Sequence, residues 1–149
     1  AQGATLWERT STATGSFFDI KVDPDGNLLA MGTSAIAKYS PDGTLIWEKN
    51  TEGTSFSSVA TDPAGNVHLS GSSKYMGADT PTLWSYDANG NHRFTAYGDS
   101  TTHNSYNFVN ADADGNVIAT ATYWSVSKFD KYDTYGNLIW SRAYNKTRA

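Results

Sequence analysis

Apolar and polar residues alternate along much of this chain in short runs, such as Phe18-Asp19-Ile20-Lys21-Val22 and Ala119-Thr120-Ala121-Thr122. A period of two is the mark of a β-strand with one buried face. No segment carries a 3.6-residue apolar period, and the longest candidates are broken by Gly or Pro within about ten residues. The pattern predicts twelve strands: 17–22, 28–33, 35–40 and 45–50; then 56–61, 66–71, 82–87 and 92–97; then 106–111, 116–122, 126–133 and 138–144.

Between the strands two families of turn alternate. The first is Asp23-Pro24-Asp25-Gly26-Asn27, Asp62-Pro63-Ala64-Gly65-Asn66 and Asp112-Ala113-Asp114-Gly115-Asn116. The second is Ser40-Pro41-Asp42-Gly43-Thr44, Asp87-Ala88-Asn89-Gly90-Asn91 and Asp133-Thr134-Tyr135-Gly136-Asn137. An aromatic-centred strand follows each member of the second family, its ring recurring at Trp47, Phe94 and Trp140. Four short strands per unit of forty to fifty residues is the size of a propeller blade. A β-trefoil also has three such repeats, but the Gly-Asn turn and the aromatic fourth strand argue against it.

At these residues the chain resembles a known family. The stretches VDPDGNLLAMG and AKYSPDGTLIWEK are similar to bacterial β-propeller repeats related to the quinoprotein-like propellers, found in many secreted and surface proteins. The likeness runs from about Thr5 to Tyr144. It implies an all-β array of three four-stranded antiparallel blades, at about 16–50, 55–97 and 105–144, with one extra N-terminal strand at 5–9, in one domain. It says little about function, since propellers host enzymes, lectins and scaffolds alike. The tryptophan-docking signature of quinoprotein dehydrogenases is absent, so no quinone or other cofactor is implied.

The clustered acids of the turns raise the question of calcium. An EF-hand loop needs Gly at position six and a bidentate Glu at position twelve. Here Gly is fourth, and the twelfth residues from Asp23 and Asp112 are Ser34 and Tyr123. A turn explains the motif better: Asp bonds the backbone ahead, Pro suits the next position, and Gly takes the left-handed conformation. No metal site is expected.

The periodic aromatics, Trp7, Trp47, Phe94 and Trp140 on fourth strands and Tyr39, Tyr86 and Tyr132 before the second turns, read as packing between blades. His68 stands where other units have Leu29 and Ile118, so it reads as a core histidine; His92 and His103 share no metal-ligand spacing with it. A carboxylate pair such as Asp79 and Asp99 could converge, but 15 acids offer many such pairs. With no nucleophile elbow and no phosphate loop, the chain is not expected to be an enzyme.

In a four-stranded meander, the six uniform turns lie on one face of the array. The opposite face carries the variable connections 10–16, 50–55, 72–81, 98–105 and 122–126. Loops that vary on a uniform scaffold are where recognition usually sits. Tyr75, Asp79, Asp99, His103, Asn104, Tyr123 and Trp124 combine flat rings with short polar groups, the chemistry of glycan or peptide contacts. Ordinary solvated loops around a packed ring remain the competing reading.

Composition narrows the partners. The charged fraction is 17%, the net charge is −4, and basic residues never cluster, which argues against nucleic acid and polybasic membrane binding. No window reaches the ~18 apolar residues of a membrane span. The chain has no cysteine, which excludes disulfides and leaves the compartment open. The Ser/Thr/Asn/Tyr-rich surface leans towards an extracellular or cell-surface protein with its signal peptide removed. Asn145-Lys146-Thr147 fits the glycosylation pattern, one that is common by chance.

The strand tally does not close. Thr5-Leu6-Trp7-Glu8-Arg9 reads like a fourth strand with no first three before it, and three blades fall short of the four to eight that form a ring. Either the chain is a fragment of a longer propeller, or copies assemble as a homo-oligomer or polymer. The leading expectation is a self-assembling scaffold, ring or filament, joined through unpaired β-edges. Its assembly residues would be Leu6, Trp7, Glu8, Arg9, Ile139 and Trp140. The alternative is a lectin-like propeller binding carbohydrate or protein on the variable-loop face.

Overall fold

The computed structural model describes residues 3–10, 16–51, 53–101, 103–123 and 126–145, and these form three four-stranded antiparallel sheets with no helix among them. Blade one holds β1 (Phe17–Val22), β2 (Leu28–Gly32), β3 (Ala35–Tyr39) and β4 (Leu45–Asn50). Blade two holds β5 (Thr54–Thr61), β6 (Val67–Tyr75), β7 (Ala78–Tyr86) and β8 (His92–Tyr97). Blade three holds β9 (Phe108–Ala111), β10 (Val117–Tyr123), β11 (Val126–Tyr132) and β12 (Leu138–Asn145). Each sheet is a meander in chain order.

The six Gly-containing turns share one geometry. In each, the first residue donates its N–H to the carbonyl four residues on and accepts the N–H of the Gly, as in Asp87 N to Asn91 O at 2.8 Å and Gly90 N to Asp87 O at 3.0 Å. This is a tight turn closed by a left-handed Gly bulge. Where Asp leads the turn, one carboxylate oxygen accepts the backbone N–H groups two and four residues ahead, and the amide of the following Asn is bonded too.

The acids of the first family are therefore already engaged, and a basic side chain completes each one. Lys38 reaches Asp23 at 2.7 Å, Lys131 reaches Asp112 at 2.7 Å, and the fully buried His68 lies 3.3 Å from Asp62. These turns gather from all three blades around one opening of about 360 Å³. Among the described residues, no three His, Asp or Glu side chains are placed to hold a metal ion. The acidic motif is a hairpin corner.

Two stretches differ from the sequence-based expectation. Residues 72–81, expected as a loop, lengthen β6 and β7 into a paired ribbon, with Lys74 opposite Asp79 and Tyr75 opposite Ala78. Met76 and Gly77 turn its tip, both with positive φ (50° and 83°), which suits the right-handed twist of a two-residue hairpin. Residues 5–9, expected as an extra strand, join no sheet. They are held by side chains instead.

The core lies between blades. Leu29, Met31, Ile36 and Trp47 of blade one pack on Phe56, Val59, Val67, Leu69 and Tyr86 of blade two. Ala60, Leu83, Phe94 and Ala96 of blade two pack with Tyr106 on Val109, Val117, Ala119 and Tyr132 of blade three. Blade two thus meets blade one with its front face and blade three with its back face. Blades stacked this way depend on their neighbours for burial.

Acid should expose the turn chemistry. Burial alone would raise the pKa of Asp62, but the bonds from His68, Asn66 and the backbone outweigh it and hold the group at about 2. A carboxyl held below its ordinary value stabilises the fold above about pH 4 and loses that contribution as pH falls through about 2. Asp62→Asn should flatten the fall in unfolding free energy between pH 4 and 2 by on the order of 2 kcal/mol, read from denaturant titrations at each pH.

Candidate functional site

Two regions carry chemistry that the folding of single blades does not require: a recess on the variable-loop face, and the two end faces of the array.

The recess forms where the connection from β8 to β9 crosses from blade two to blade three. Tyr106 anchors that crossing. It is fully buried, its N–H donates to Gly71 O at 2.9 Å, and its carbonyl accepts Ser57 Oγ at 2.6 Å. Its hydroxyl donates to Asp130 Oδ2 at 2.5 Å and lies 2.6 Å from the Tyr132 hydroxyl. Burial and the adjacent Asp130 and Tyr132 push the Tyr106 hydroxyl far above its ordinary pKa. Burial, with the Asp130 charge beside it, likewise pushes Tyr132 up to about 12. Both phenols stay neutral donors, and both brace the loop from beneath.

Above this brace, Asp99, His103, Asn104 and Tyr123 line two adjoining hollows of about 250 and 350 Å³ that share His103 and Tyr123. Tyr123 faces His103 edge-on at 6.4 Å. Lys128 projects between two carboxylates, 3.7 Å from Asp130 and 3.9 Å from Asp99. Bonds from Thr101, with a smaller contribution from Lys128, hold Asp99 below the usual carboxylate range. Four of the seven residues expected on this face are thus brought together. Tyr75 and Asp79 stand apart on the β6–β7 ribbon, Tyr75 stacked on Tyr97 at 4.0 Å and Asp79 paired with Lys74 at 3.0 Å. Trp124 lies outside the described residues, as do residues 11–15 and the end of the Asn145-Lys146-Thr147 motif.

The end faces follow from the rule that joins the blades. On the back of blade one, Trp47 lies over the Gly90 turn of blade two and donates Nε1–H to Ala88 O at 3.1 Å. Lys38 donates to the same carbonyl, also at 3.1 Å. On the back of blade two, Phe94 lies over the Gly136 turn, and Arg93 supplies the missing N–H by donating to Thr134 O at 2.9 Å. Glycine is required twice at these turns. Its φ is +82° at Gly90 and +90° at Gly136, and a Cβ would come within 3.0 and 2.5 Å of the docked rings.

Trp7 repeats this contact on the front of blade one. Its ring lies against Gly43, where a Cβ would stand 2.7 Å away, and its Nε1–H donates to Pro41 O at 3.0 Å. Arg9 Nε donates to Gly43 O at 2.8 Å, and the Trp7 ring is 6.3 Å from Tyr39. Leu6 points to solvent, and the Glu8 carbonyl accepts Arg9 Nη1. The segment is placed like the fourth strand of a preceding blade, but without a ladder.

The back of blade three carries the same set of positions, and among the described residues no blade lies behind it. By strand register, Ile118, Thr120, Phe129, Lys131, Trp140 and Arg142 match Leu29, Met31, Ile36, Lys38, Trp47 and Lys49. Leu29, Met31 and Ile36 are fully buried, whereas Ile118, Thr120 and Phe129 are only partly so. Ser127, Phe129, Trp140, Arg142 and Tyr144 line an open groove of about 540 Å³ there. Trp140 Nε1–H has no acceptor among the described residues, and the Arg142 guanidinium lies 6.0 Å from the ring centre. Ile139, on the other side of β12, is exposed.

No protein-family model and no curated protein sequence matches the chain. Solved structures do. A eukaryotic initiation factor aligns with TM-score 0.70 at 10% identity, over 93% of this chain and 35% of that one. A protein of unknown function from Bacteroides caccae aligns with TM-score 0.64 at 14% identity, over 92% and 49%. The β-propeller domain of the Trilobed protease from Pyrococcus furiosus, described as having an open velcro topology, aligns with TM-score 0.55 at 9% identity, over 91% and 45%. The fold is a β-propeller arrangement. The chain spans half or less of the length of each of these structures, and the likeness is one of fold alone.

The blade-joining rule sets an asymmetry between two equivalent tryptophans. Trp47→Ala should cost about 3–5 kcal/mol, since it empties a packed site and removes one of the two donors to Ala88 O. That is a fall of roughly 10 °C in Tm for a domain of this size. Trp140→Ala should stay within about 1 kcal/mol in dilute protein, because its ring is not enclosed. Thermal melts of both variants at low concentration check the difference.

Proposed function

We propose that this chain is a non-enzymatic propeller module that joins copies of itself through its end blades, as an extracellular or cell-surface scaffold. The observation that carries the reading is the back of blade three. It presents the residues that elsewhere in the chain dock onto a neighbouring blade, and among the described residues no blade receives them. A partly exposed Trp whose N–H meets no acceptor among the described residues, beside Phe129 and Tyr144, is the chemistry of an interface. Three blades from each of two copies would reach six, within the range that closes a ring.

A second reading is favoured by the convergence of Asp99, His103, Asn104 and Tyr123. A ring beside short polar groups suits a glycan or an extended peptide. The two readings use different surfaces and are compatible, one for joining and one for recognition.

Light scattering across about 1–100 µM, with electron micrographs of the same samples, tests assembly. The expected result is a mass of at least twice 16.2 kDa, rising with concentration. A monomer throughout would overturn the reading. For the recess, a glycan array should show binding that Tyr123→Ala weakens at least ~10-fold, the loss of one stacked ring.

A further inference from the structure

We infer that the Trp7 segment is an internal stand-in for the end strand of another copy: the Gly43 turn is the acceptor for Trp140 of a second chain, and residues 5–9 occupy it until that strand displaces them. This rests on the assembly reading above and names its junction and its control.

Three observations converge. The first is sequence: Leu6-Trp7-Glu8-Arg9 and Ile139-Trp140-Ser141-Arg142 share an aliphatic residue, Trp, a spacer and Arg in one order. The second is the acceptor. The Gly43 turn has the same backbone bonds as the Gly90 turn, the same left-handed Gly (+82° at both), and the same carbonyl offered to an indole N–H, Pro41 O in place of Ala88 O. What Trp47 and Lys49 find at Gly90, Trp140 and Arg142 would find at Gly43.

The third is incompleteness. Trp47 reaches its acceptor from a laddered strand, alongside a second donor from β3, Lys38. Trp7 reaches its acceptor from a segment with no ladder, so no Lys38 equivalent comes with it. Blade three supplies both parts, since Trp140 sits opposite Lys131 in a seven-pair ladder between β11 and β12. The front of blade one is built for a full blade and, among the described residues, receives the side chains of one unladdered segment.

The occupant is therefore a second copy of this chain, seated head to tail. Because the junction and the Trp7 contact use one turn, they exclude each other. The apparent affinity is reduced by the fraction of chains whose turn is covered.

The test compares wild type with Trp140→Ala, Arg142→Ala, Trp7→Ala and Arg9→Ala by analytical ultracentrifugation over about 0.1–100 µM, each first shown folded by thermal melting. If the inference holds, Trp140→Ala loosens assembly at least ~30-fold, as loss of a central anchor does. Arg142→Ala loosens it too, while Trp7→Ala and Arg9→Ala tighten it by ~10-fold or more. Assembly unaffected by Trp140→Ala and Arg142→Ala would overturn this junction and leave the assembly reading standing. Assembly weakened by Trp7→Ala as much as by Trp140→Ala would overturn the competition, making residues 5–9 part of the contact. Monomers for wild type and for Trp7→Ala alike would overturn both.

Discussion

The architecture depends on an aromatic ring laid against a glycine that has no side chain to hold it off. The turn between the third and fourth strands of a blade needs a residue with positive φ, and Gly is the residue that takes it without strain. The missing Cβ also opens the gap that admits the ring of the preceding blade, at Gly90 for Trp47 and Gly136 for Phe94, and at Gly43 the ring of the unpaired Trp7 segment. Local turn chemistry and blade stacking are thereby one constraint. The carbonyl that follows the turn's first residue is fixed by the same backbone and receives the donor that sets the ring's depth. Where Phe94 lacks an N–H, its neighbour Arg93 provides one, so the hydrogen bond is kept although the residue supplying it changes.

Much of this was legible in the chain. Period-two patterning and six Gly turns give the strands, because register and loop length are set by the same few residues. The β6–β7 ribbon was not legible. Ser72, Ser73 and Thr80 carry little apolar alternation, Pro81 argues against a strand, and Met76-Gly77 is not a familiar hairpin pair. Trp7 was legible as a strand-four aromatic but not in its manner of attachment. Side-chain identity records what a segment docks onto, and says less about whether its backbone is paired.

The recess was half legible. Asp99, His103 and Asn104 lie in one loop, and Tyr123 joins them only because Tyr106 pins that loop between two blades. Nothing near Tyr106 marks it as a keystone. The available signal lay elsewhere: Asp130 takes the register position held by Ala37 and Trp84 in the other blades. A carboxylate at an inward position, 2% exposed, needs a buried donor, and the Tyr106 hydroxyl is that donor. Set against the same position in the other two blades, Asp130 stands out in the sequence as the one carboxylate.

Whether a tethered strand or an untethered one holds the Gly43 turn is a contest of two entropies. The Trp7 segment is part of the same chain, and a short tether gives it an effective concentration on the order of millimolar. Against that, it must order its own backbone on docking with no ladder to hold it. Residues 138–145 are already paired to β11 along their length, so under the proposed junction a second copy would bring the same Trp-x-Arg chemistry with most of its ordering complete. It would also bring Phe129 and Lys131 on the adjacent strand, which the stand-in lacks. On the proposed junction the tether would win in dilute solution and the preorganised strand as concentration rises, and the crossover between them would make the end of this propeller a concentration-dependent joint.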